Sequence, residues 1–355
     1  MKQQVDYIIV GSGLAGTALA CALLDRGRQV RIFNDRQLYS STKVAAGLYN
    51  PITGRKMVKT WKADAIFPAL IVYYQKLEAL TQAKFLNESR IYRPFISFEE
   101  QNEWMGKSAQ SGYVDYIHKV RISSFNSGIN DPYGGMELKM SGFLDTEAFH
   151  KAMRQFFQLK GVLIQDKFDF RDIQFVSDKA VYRDITASKI IFCDGTYASS
   201  NPFFNWLPFS PVKGEVLTVE SDLDTDLIVN RGVFCVPLGG GKFRVGSNYD
   251  NNDLTWTPTE KGKQQIEQRL KALINTPFTT VYQKAGVRPA TKDRRPYIGL
   301  YPSNETIGIF NGLGTKGVSL SPYFGEHFAS FLEGETELDN EVNISRYFSL
   351  SSDSQ

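Results

Sequence analysis

Cysteine and histidine are scarce in this chain of 355 residues, with three of each. Cys21, Cys193 and Cys235 are odd in number, far apart and set in apolar stretches, which excludes a disulfide framework and points to buried thiols in a reducing compartment. His118, His150 and His327 lack metal-ligand spacing, so no metal site is expected and each reads as structural. An excess of one charge is also missing: 41 Lys plus Arg stand against 38 Asp plus Glu, which gives no general case for nucleic-acid binding. One local cluster remains, Arg55, Lys56, Lys59 and Lys62. A solvated or phosphate-facing loop is its simpler reading, with an RNA contact as the alternative. No apolar run approaches the roughly 20 residues that cross a bilayer, and no signal peptide is visible, so cytoplasmic residence is the default expectation. No segment has the composition of extended disorder apart from the polar tail Ser349 to Gln355, expected to be flexible.

What is present begins at once. Val5 to Val10 reads as a buried strand, and Gly11-Ser12-Gly13-Leu14-Ala15-Gly16 follows it directly. In this pattern Gly11 permits the turn out of the strand, Gly13 lets the backbone approach a pyrophosphate, and Gly16 allows close packing of the next helix on the sheet. The helix N-terminus then offers unpaired N–H groups and the positive end of its dipole to an anion. Gly27 is placed to end that helix, and Gln29 to Phe33 reads as a second strand. An acidic residue is expected about 20 residues after the glycines to bind ribose hydroxyls; Asn34 holds that position and Asp35 follows. The ordered set of strand, glycines, helix and second strand indicates a dinucleotide-binding βαβ start. An ordinary strand-to-helix turn would explain Gly11 but not all three glycines.

Further along, residues 37 to 61 read as irregular and include the small-residue stretch Val44-Ala45-Ala46-Gly47-Leu48, suited to close approach of a flat ring. Helices are expected over Ala65 to Gln82, Glu99 to Ser111, a segment capped by Asp145, and Glu260 to Ile274. Strands are expected over Tyr92 to Phe98, Tyr113 to Ile122, Val162 to Ile164, Lys189 to Phe192, Val212 to Val219, Gly232 to Pro237 and Lys242 to Ser247. Val162 to Ile164 and Lys189 to Phe192 have the continuous apolar character of strands covered on both faces. Cys193-Asp194-Gly195 leaves the latter, a strand-end turn that could again face a cofactor. Gly239-Gly240-Gly241-Lys242 lacks the spacing of a phosphate loop and reads as a hairpin turn. The outline is an α/β nucleotide domain interrupted twice by pieces of a mixed-sheet second domain.

Two C-terminal segments complete the pattern: Gly286 to Gly299, containing Arg288-Pro289 and Asp293-Arg294-Arg295-Pro296, and Ile309 to Val318, leading into a helix that should start around Ser321-Pro322. With the glycine fingerprint and the Ala-Ala-Gly loop, they resemble the D-amino acid oxidase-like flavoproteins, in particular glycine and sarcosine oxidases and the oxidase half of the bifunctional tRNA wobble-uridine modification enzyme. The resemblance runs from Val5 to about Leu332. It implies a Rossmann-like FAD-binding domain over residues 1–82, 143–210 and 287–348, interleaved with an α+β substrate domain over 83–142 and 211–286, followed by the tail 349–355. The absence of a C-x-x-C pair argues against the flavin disulfide reductases that share the fingerprint.

On this resemblance FAD is bound noncovalently, since no cysteine stands beside Arg288-Pro289. Its pyrophosphate would lie on Gly11, Ser12, Gly13, Leu14, Ala15 and Gly16, and its ribose near Asn34 or Asp35. The stretch Val44, Ala45, Ala46, Gly47 and Leu48 would lie along the isoalloxazine, and Phe170, on the strand after Gly161, would touch the adenine through its backbone. Cys193, Asp194, Gly195 and Gly214 would also face the cofactor. Gly312, Gly314, Thr315, Lys316, Gly317 and Val318 would surround the pyrimidine side of the ring, with Lys316 stabilising negative charge there; the alternative for Lys316 is a solvated loop lysine. Arg288 would hold a substrate carboxylate, its alternative being an ion pair with Asp293 or a nearby Glu. The implied chemistry is hydride transfer from an amine carbon to flavin N5 with oxygen as acceptor, which needs placement more than an acid or base. Phe234 stands where these oxidases often carry a carboxylate-binding tyrosine, which weakens the case for glycine or sarcosine as substrate. Two alternatives stay open: a tRNA wobble-uridine (carboxymethylaminomethyl) oxidase, and a flavin-binding protein without oxidase turnover.

Overall fold

The computed structural model describes residues 3–54 and 56–351. The first strand, Gln3–Val10, lies between two parallel neighbours, Val30–Phe33 and Ile185–Phe192. The sheet continues outward to Leu163–Ile164 on one side. On the other, Ile185–Phe192 carries antiparallel Lys179–Tyr182 along its first half and parallel Asn304–Asn311 along its second. The parallel strands become apolar toward their C-terminal ends, where both faces are covered: Ile8, Ile9, Ile190, Ile191 and Phe192 are all fully buried. Leu163–Ile164 departs from expectation. It is the edge strand and only half-buried, because no strand among the described residues pairs with its outer side.

The helix Leu14–Asp25 packs beside the C-terminal helix Gly317–Leu332 so closely that a Cβ on Gly325 would come within 2.7 Å of the Ala18 Cβ. This C-terminal helix begins several residues before the expected Ser321-Pro322. Pro322 is tolerated inside it because the carbonyl its missing N–H leaves free, that of Val318, accepts a hydrogen bond from the Tyr74 hydroxyl at 3.0 Å.

The second sheet has eight strands in the order Phe278–Arg288, Val212–Ser221, Lys242–Gly246, Val233–Gly239, Ile228–Arg231, Ile91–Pro94, Gly135–Leu138 and Ile117–Arg121. Alternation sorts its side chains. Tyr92, Val229, Cys235, Leu217 and Val219 enter a core with the helix Glu260–Lys271, while Ile91, Ile228, Val236, Met136 and Leu138 face the large core shared with the nucleotide half. The glycine hairpin turn falls between Val233–Gly239 and Lys242–Gly246.

Several boundaries move inward from their expected positions. Tyr92 to Phe98 is a strand only to Pro94, because Ser97 caps the helix Phe98–Lys107 by accepting a hydrogen bond from the Glu100 amide. Tyr113 to Ile122 is turn until Ile117. Asp145 caps its helix as expected, accepting from the Glu147 and Ala148 amides at 3.1 Å. The tail is partly structured: Ile344–Leu350 forms a 3-10 helix and Ser351 is buried, while residues 352–355, like Arg55 of the basic cluster, lie outside the described residues.

Candidate cofactor and substrate site

The glycine loop is built by contact. Gly11 has φ +104°, and a Cβ there would sit 2.4 Å from the Cys193 carbonyl oxygen; one on Gly16 would sit 1.9 Å from the Gly11 carbonyl oxygen. Both approaches are backbone to backbone, so only glycine fits. Gly13 caps the helix without any side chain bonding to its first turn, and no acidic residue occupies that turn. The amides of Leu14, Ala15 and Gly16 are therefore open to an anion, and the loop fits the pyrophosphate of a dinucleotide. The Asn34 Oδ1 accepts from the Ser12 amide at 3.2 Å, so Asn34 props the loop while Asp35 turns away to accept from the Gln37 amide at 2.8 Å. Phe170 is not on a strand. It opens a 3-10 turn, and its ring packs 5.4 Å from that of Phe192, because the strand after Gly161 ends at Ile164.

The stretch Val44 to Leu48 leaves the short helix Ser41–Val44 and bridges the two halves. Thr42 lies beside Gly13, the Ala45 carbonyl accepts from the Thr146 hydroxyl at 3.0 Å, and the Gly47 carbonyl accepts from the Leu144 amide at 3.0 Å. Ala46 and Gly47 are buried, and Leu48 begins a two-residue strand.

Across from this stretch, three glycines on adjacent strands form a floor over which foreign side chains lie. A Cβ on Gly286 would meet Val44 at 3.0 Å, one on Gly246 would meet the Phe234 ring at 2.9 Å, and one on Gly214 would meet the Arg288 Nη2 at 1.9 Å. Arg288, the last residue of its strand, thus lies flat across Gly214. Its guanidinium donates to the Lys213 carbonyl at 3.1 Å and the Ser247 hydroxyl at 2.7 Å, and its Cζ lies 4.6 Å from the centre of the Tyr249 ring. Burial lowers its pKa from the usual arginine range. Among the described residues it has no carboxylate partner; Asp293, the expected alternative, instead pairs with Arg346 at 3.0 Å.

The two C-terminal segments meet. Gly314 donates from its amide to the Pro289 carbonyl at 3.1 Å, and a Cβ on Gly312 would come within 2.5 Å of the Thr291 methyl. Thr315 is exposed, Gly317 and Val318 are buried in the first turn of the helix, and Lys316 is its N-cap. Lys316 is half-buried, and burial first, then Arg295 and Arg294, lower its pKa; among the described residues no carboxylate pairs with it. A partly buried cation without an acidic partner, at a helix start, suits an anionic group supplied from outside.

The resemblance placed Asp194 facing the cofactor, at a strand-end turn. The structure makes it a bridge: its carboxylate accepts from Asn311 at 2.9 Å and from Asn201 at 3.0 Å, and Asn311 in turn accepts from the Gly312 amide at 2.8 Å. The turn that backs Gly11 is thereby tied to the loop preceding Lys316. Burial raises the Asp194 pKa to about 6 against the pull of both asparagines. Gly195 follows with φ +59°, and Cys193 is a fully buried thiol. Ser247 and Tyr249 escaped sequence reading; the available signal was Gly246-Ser247-Asn248-Tyr249 leaving a strand, as Cys193-Asp194-Gly195 does. In the basic cluster, Lys59 pairs with Asp64 at 2.7 Å and Lys62 with Asp339 at 2.8 Å, so two of its charges are locally neutralised. No helix among the described residues is long and apolar enough to cross a membrane.

Comparison with known proteins agrees with this geometry. The profile of the family described as FAD dependent oxidoreductase matches residues 6–331. Glycine oxidase of Bacillus subtilis is 24% identical, over 97% of this chain and 95% of that protein. A tRNA 5-methylaminomethyl-2-thiouridine biosynthesis bifunctional protein of Legionella pneumophila is 23% identical over 85% of this chain, a match that takes in 46% of the longer protein. The crystal structure of glycine oxidase from Geobacillus kaustophilus shares the fold, with a TM-score of 0.78 at 20% identity over 99% of each chain.

Proposed function

This chain belongs to the FAD-dependent oxidoreductase family, and from that premise we propose that it oxidises the carbon–nitrogen bond of a small amine or amino acid that carries a carboxylate. The observation that carries this reading is Arg288: a guanidinium seated over Gly214, fixed by Ser247 and the Lys213 carbonyl, and without an acidic partner among the described residues. Holding so desolvated a charge unpaired is costly, and an incoming carboxylate would relieve the cost with a two-pronged, charge-assisted bond.

When bound, FAD supplies the acceptor for a hydride from the amine carbon. The chain's part is placement. The glycine loop would hold the pyrophosphate, Val44 to Leu48 would line the ring, and Lys316 would offset negative charge at its far side. Arg288 would fix the carboxylate, and Phe234 and Val44 would form an apolar wall that keeps water from the reacting carbon. Dioxygen is the terminal acceptor in this reading, and the imine product hydrolyses in water.

The test is anaerobic mixing of the yellow holoenzyme with glycine, sarcosine, proline and D-alanine. Loss of the visible flavin bands with one of them supports the reading; bands that persist with every carboxylated amine overturn it. A tRNA wobble-uridine substrate is the second reading, favoured by the Legionella relative's match over 85% of this chain. The ion pairs of Lys59 and Lys62 weigh against the basic cluster as its contact. Salt-sensitive tRNA binding separates the two.

A further inference from the structure

We propose that the substrate carries a second anionic group, and that Lys43, Arg244 and Lys284 hold it in a cavity beside Val44. The substrate is then a dianionic amine, an amino acid extended by a carboxylate or a phosphate. This deepens the reading of Arg288 as the carboxylate anchor and rests on it.

The cavity follows from the same register that makes the glycine floor. Gly214 pairs with Gly286; one pleat further along, Val216 pairs with Lys284 and Gly246, and one further still, Thr218 pairs with Arg244. Residues two apart on a strand leave the same face, so Lys284 and Arg244 rise from the face across which Arg288 lies. The short helix Ser41–Val44 packs between the helix Thr146–Leu159 and the strand Phe278–Arg288, and it brings Lys43 to the same place. The three cations line one cavity of about 50 Å³, with Val44, Val216 and Glu147 among its other walls.

Charge is unbalanced there. Glu147 is the one carboxylate in the lining, and it stands 3.7 Å from Lys284 with its side chain largely exposed. Lys43 and Arg244 have no carboxylate partner among the described residues, and Arg244 is half-buried, so it has given up hydration without compensation. The field stays positive behind the cavity: burial first, then Lys43 and Arg154, lower the His150 pKa to about 4. Such a wall draws anions, and Arg244 offers the planar fork that suits carboxylate and phosphate.

The separation from the first anchor sets the length of the ligand. At a rise of about 3.3 Å per residue, Lys284 leaves the sheet about 7 Å beyond Gly214 and Arg244 about 13 Å beyond it. Val44 and Val216, on the way, are apolar and suit the methylenes that would join the two anions.

The experiment titrates FAD-loaded wild type, Arg244→Gln and Lys43→Gln with adipate and hexanoate, following perturbation of the flavin spectrum. The two acids share a carbon chain, differ in one carboxylate and carry no amine, so the comparison does not depend on turnover. Wild type should bind adipate about a hundredfold more tightly than hexanoate. Each variant should lose about tenfold for adipate and nothing for hexanoate, while keeping FAD and the wild-type melting temperature. Phosphonopentanoate separates the two kinds of anion: binding tighter than adipate assigns the substrate a phosphate, weaker binding a carboxylate. Adipate held no more tightly than hexanoate overturns the second subsite while leaving Arg288 as anchor; if tRNA then binds and Arg244→Gln weakens it, the cations serve an RNA backbone instead. Failure of wild type to bind either acid overturns the anchor, and with it both this proposal and the proposed function.

Discussion

Replacing Gly214 with alanine separates two roles that the position could have. The residue sits in the regular strand Val212–Ser221, where alanine is accepted without backbone strain. The added Cβ would lie 1.9 Å from Nη2, 2.2 Å from Cζ and 2.4 Å from Nη1 of Arg288. Ordinary contact begins at 3.4 Å, so the guanidinium has to lift by about 1.5 Å. Because the obstacle is the far end of a flexible side chain, the fold survives and the arginine moves. That movement breaks the 2.7 Å bond to Ser247 and the 3.1 Å bond to the Lys213 carbonyl. Bonds to a charged group contribute about 1.5–3 kcal/mol each, and a misplacement of about 1 Å can cost on the order of a hundredfold in rate. Gly214→Ala should therefore lower kcat/KM for a carboxylated amine about a hundredfold, with full FAD content and a melting temperature close to wild type. Steady-state kinetics beside the visible spectrum decide it. Wild-type kinetics would refute the seating of Arg288 on Gly214, and loss of FAD would show that this glycine serves the cofactor directly.

Other perturbations test the remaining parts. Gly16→Ala places a Cβ 1.9 Å from the Gly11 carbonyl oxygen, where backbone cannot yield, so the purified protein should be colourless; a fully yellow variant contradicts the pyrophosphate assignment. Lys316→Met removes a cation with no acidic partner among the described residues and should lower the midpoint potential of bound FAD by about 30 mV, equivalent to about 1.4 kcal/mol for a two-electron couple; an unchanged potential in a redox titration rejects its place beside the ring. Asp194 has a folded pKa raised from 3.8 to about 6 by burial. Between those values the folded chain keeps a proton that the unfolded chain has released, so this contribution is present at pH 4 and lost as pH rises through 6. Asp194→Asn should remove that part of the slope in a plot of melting temperature against pH; parallel curves for the two proteins would dismiss the buried carboxylate as its source.

The half of the site that would hold the cofactor was legible in the sequence because its determinants are neighbours in the chain. Gly11, Gly13 and Gly16 fall within six residues, and the contacts that demand glycine, Gly16 on Gly11 and Gly11 on Cys193, sit at strand ends that apolar runs announce. Where tertiary contacts decide, reading fails. The C-terminal helix starts at Gly317 because Tyr74, far off in the chain, supplies the hydrogen bond that Pro322 forgoes. Leu163–Ile164 is as apolar as a central strand, and only the pairing order puts it at the edge. Phe170 leaves the expected strand because its ring has an aromatic cluster to join.

The proposed substrate half is encoded differently. Gly214, Gly246 and Gly286 come from three strands, and nothing in their separate surroundings marks them as one floor. They become one through register, Gly214 opposite Gly286 and Val216 opposite both Lys284 and Gly246. Each then receives a side chain from elsewhere, and the side chain received decides the chemistry of the spot: a cation over Gly214, a phenyl ring over Gly246, a valine over Gly286. A single substitution among Arg288, Phe234 or Val44 can therefore change what the pocket accepts without touching the glycine loop that would grip FAD. Such a division lets one cofactor-binding frame serve many amines, and it explains why the sequence proclaims the cofactor while the substrate has to be argued from contacts across a sheet.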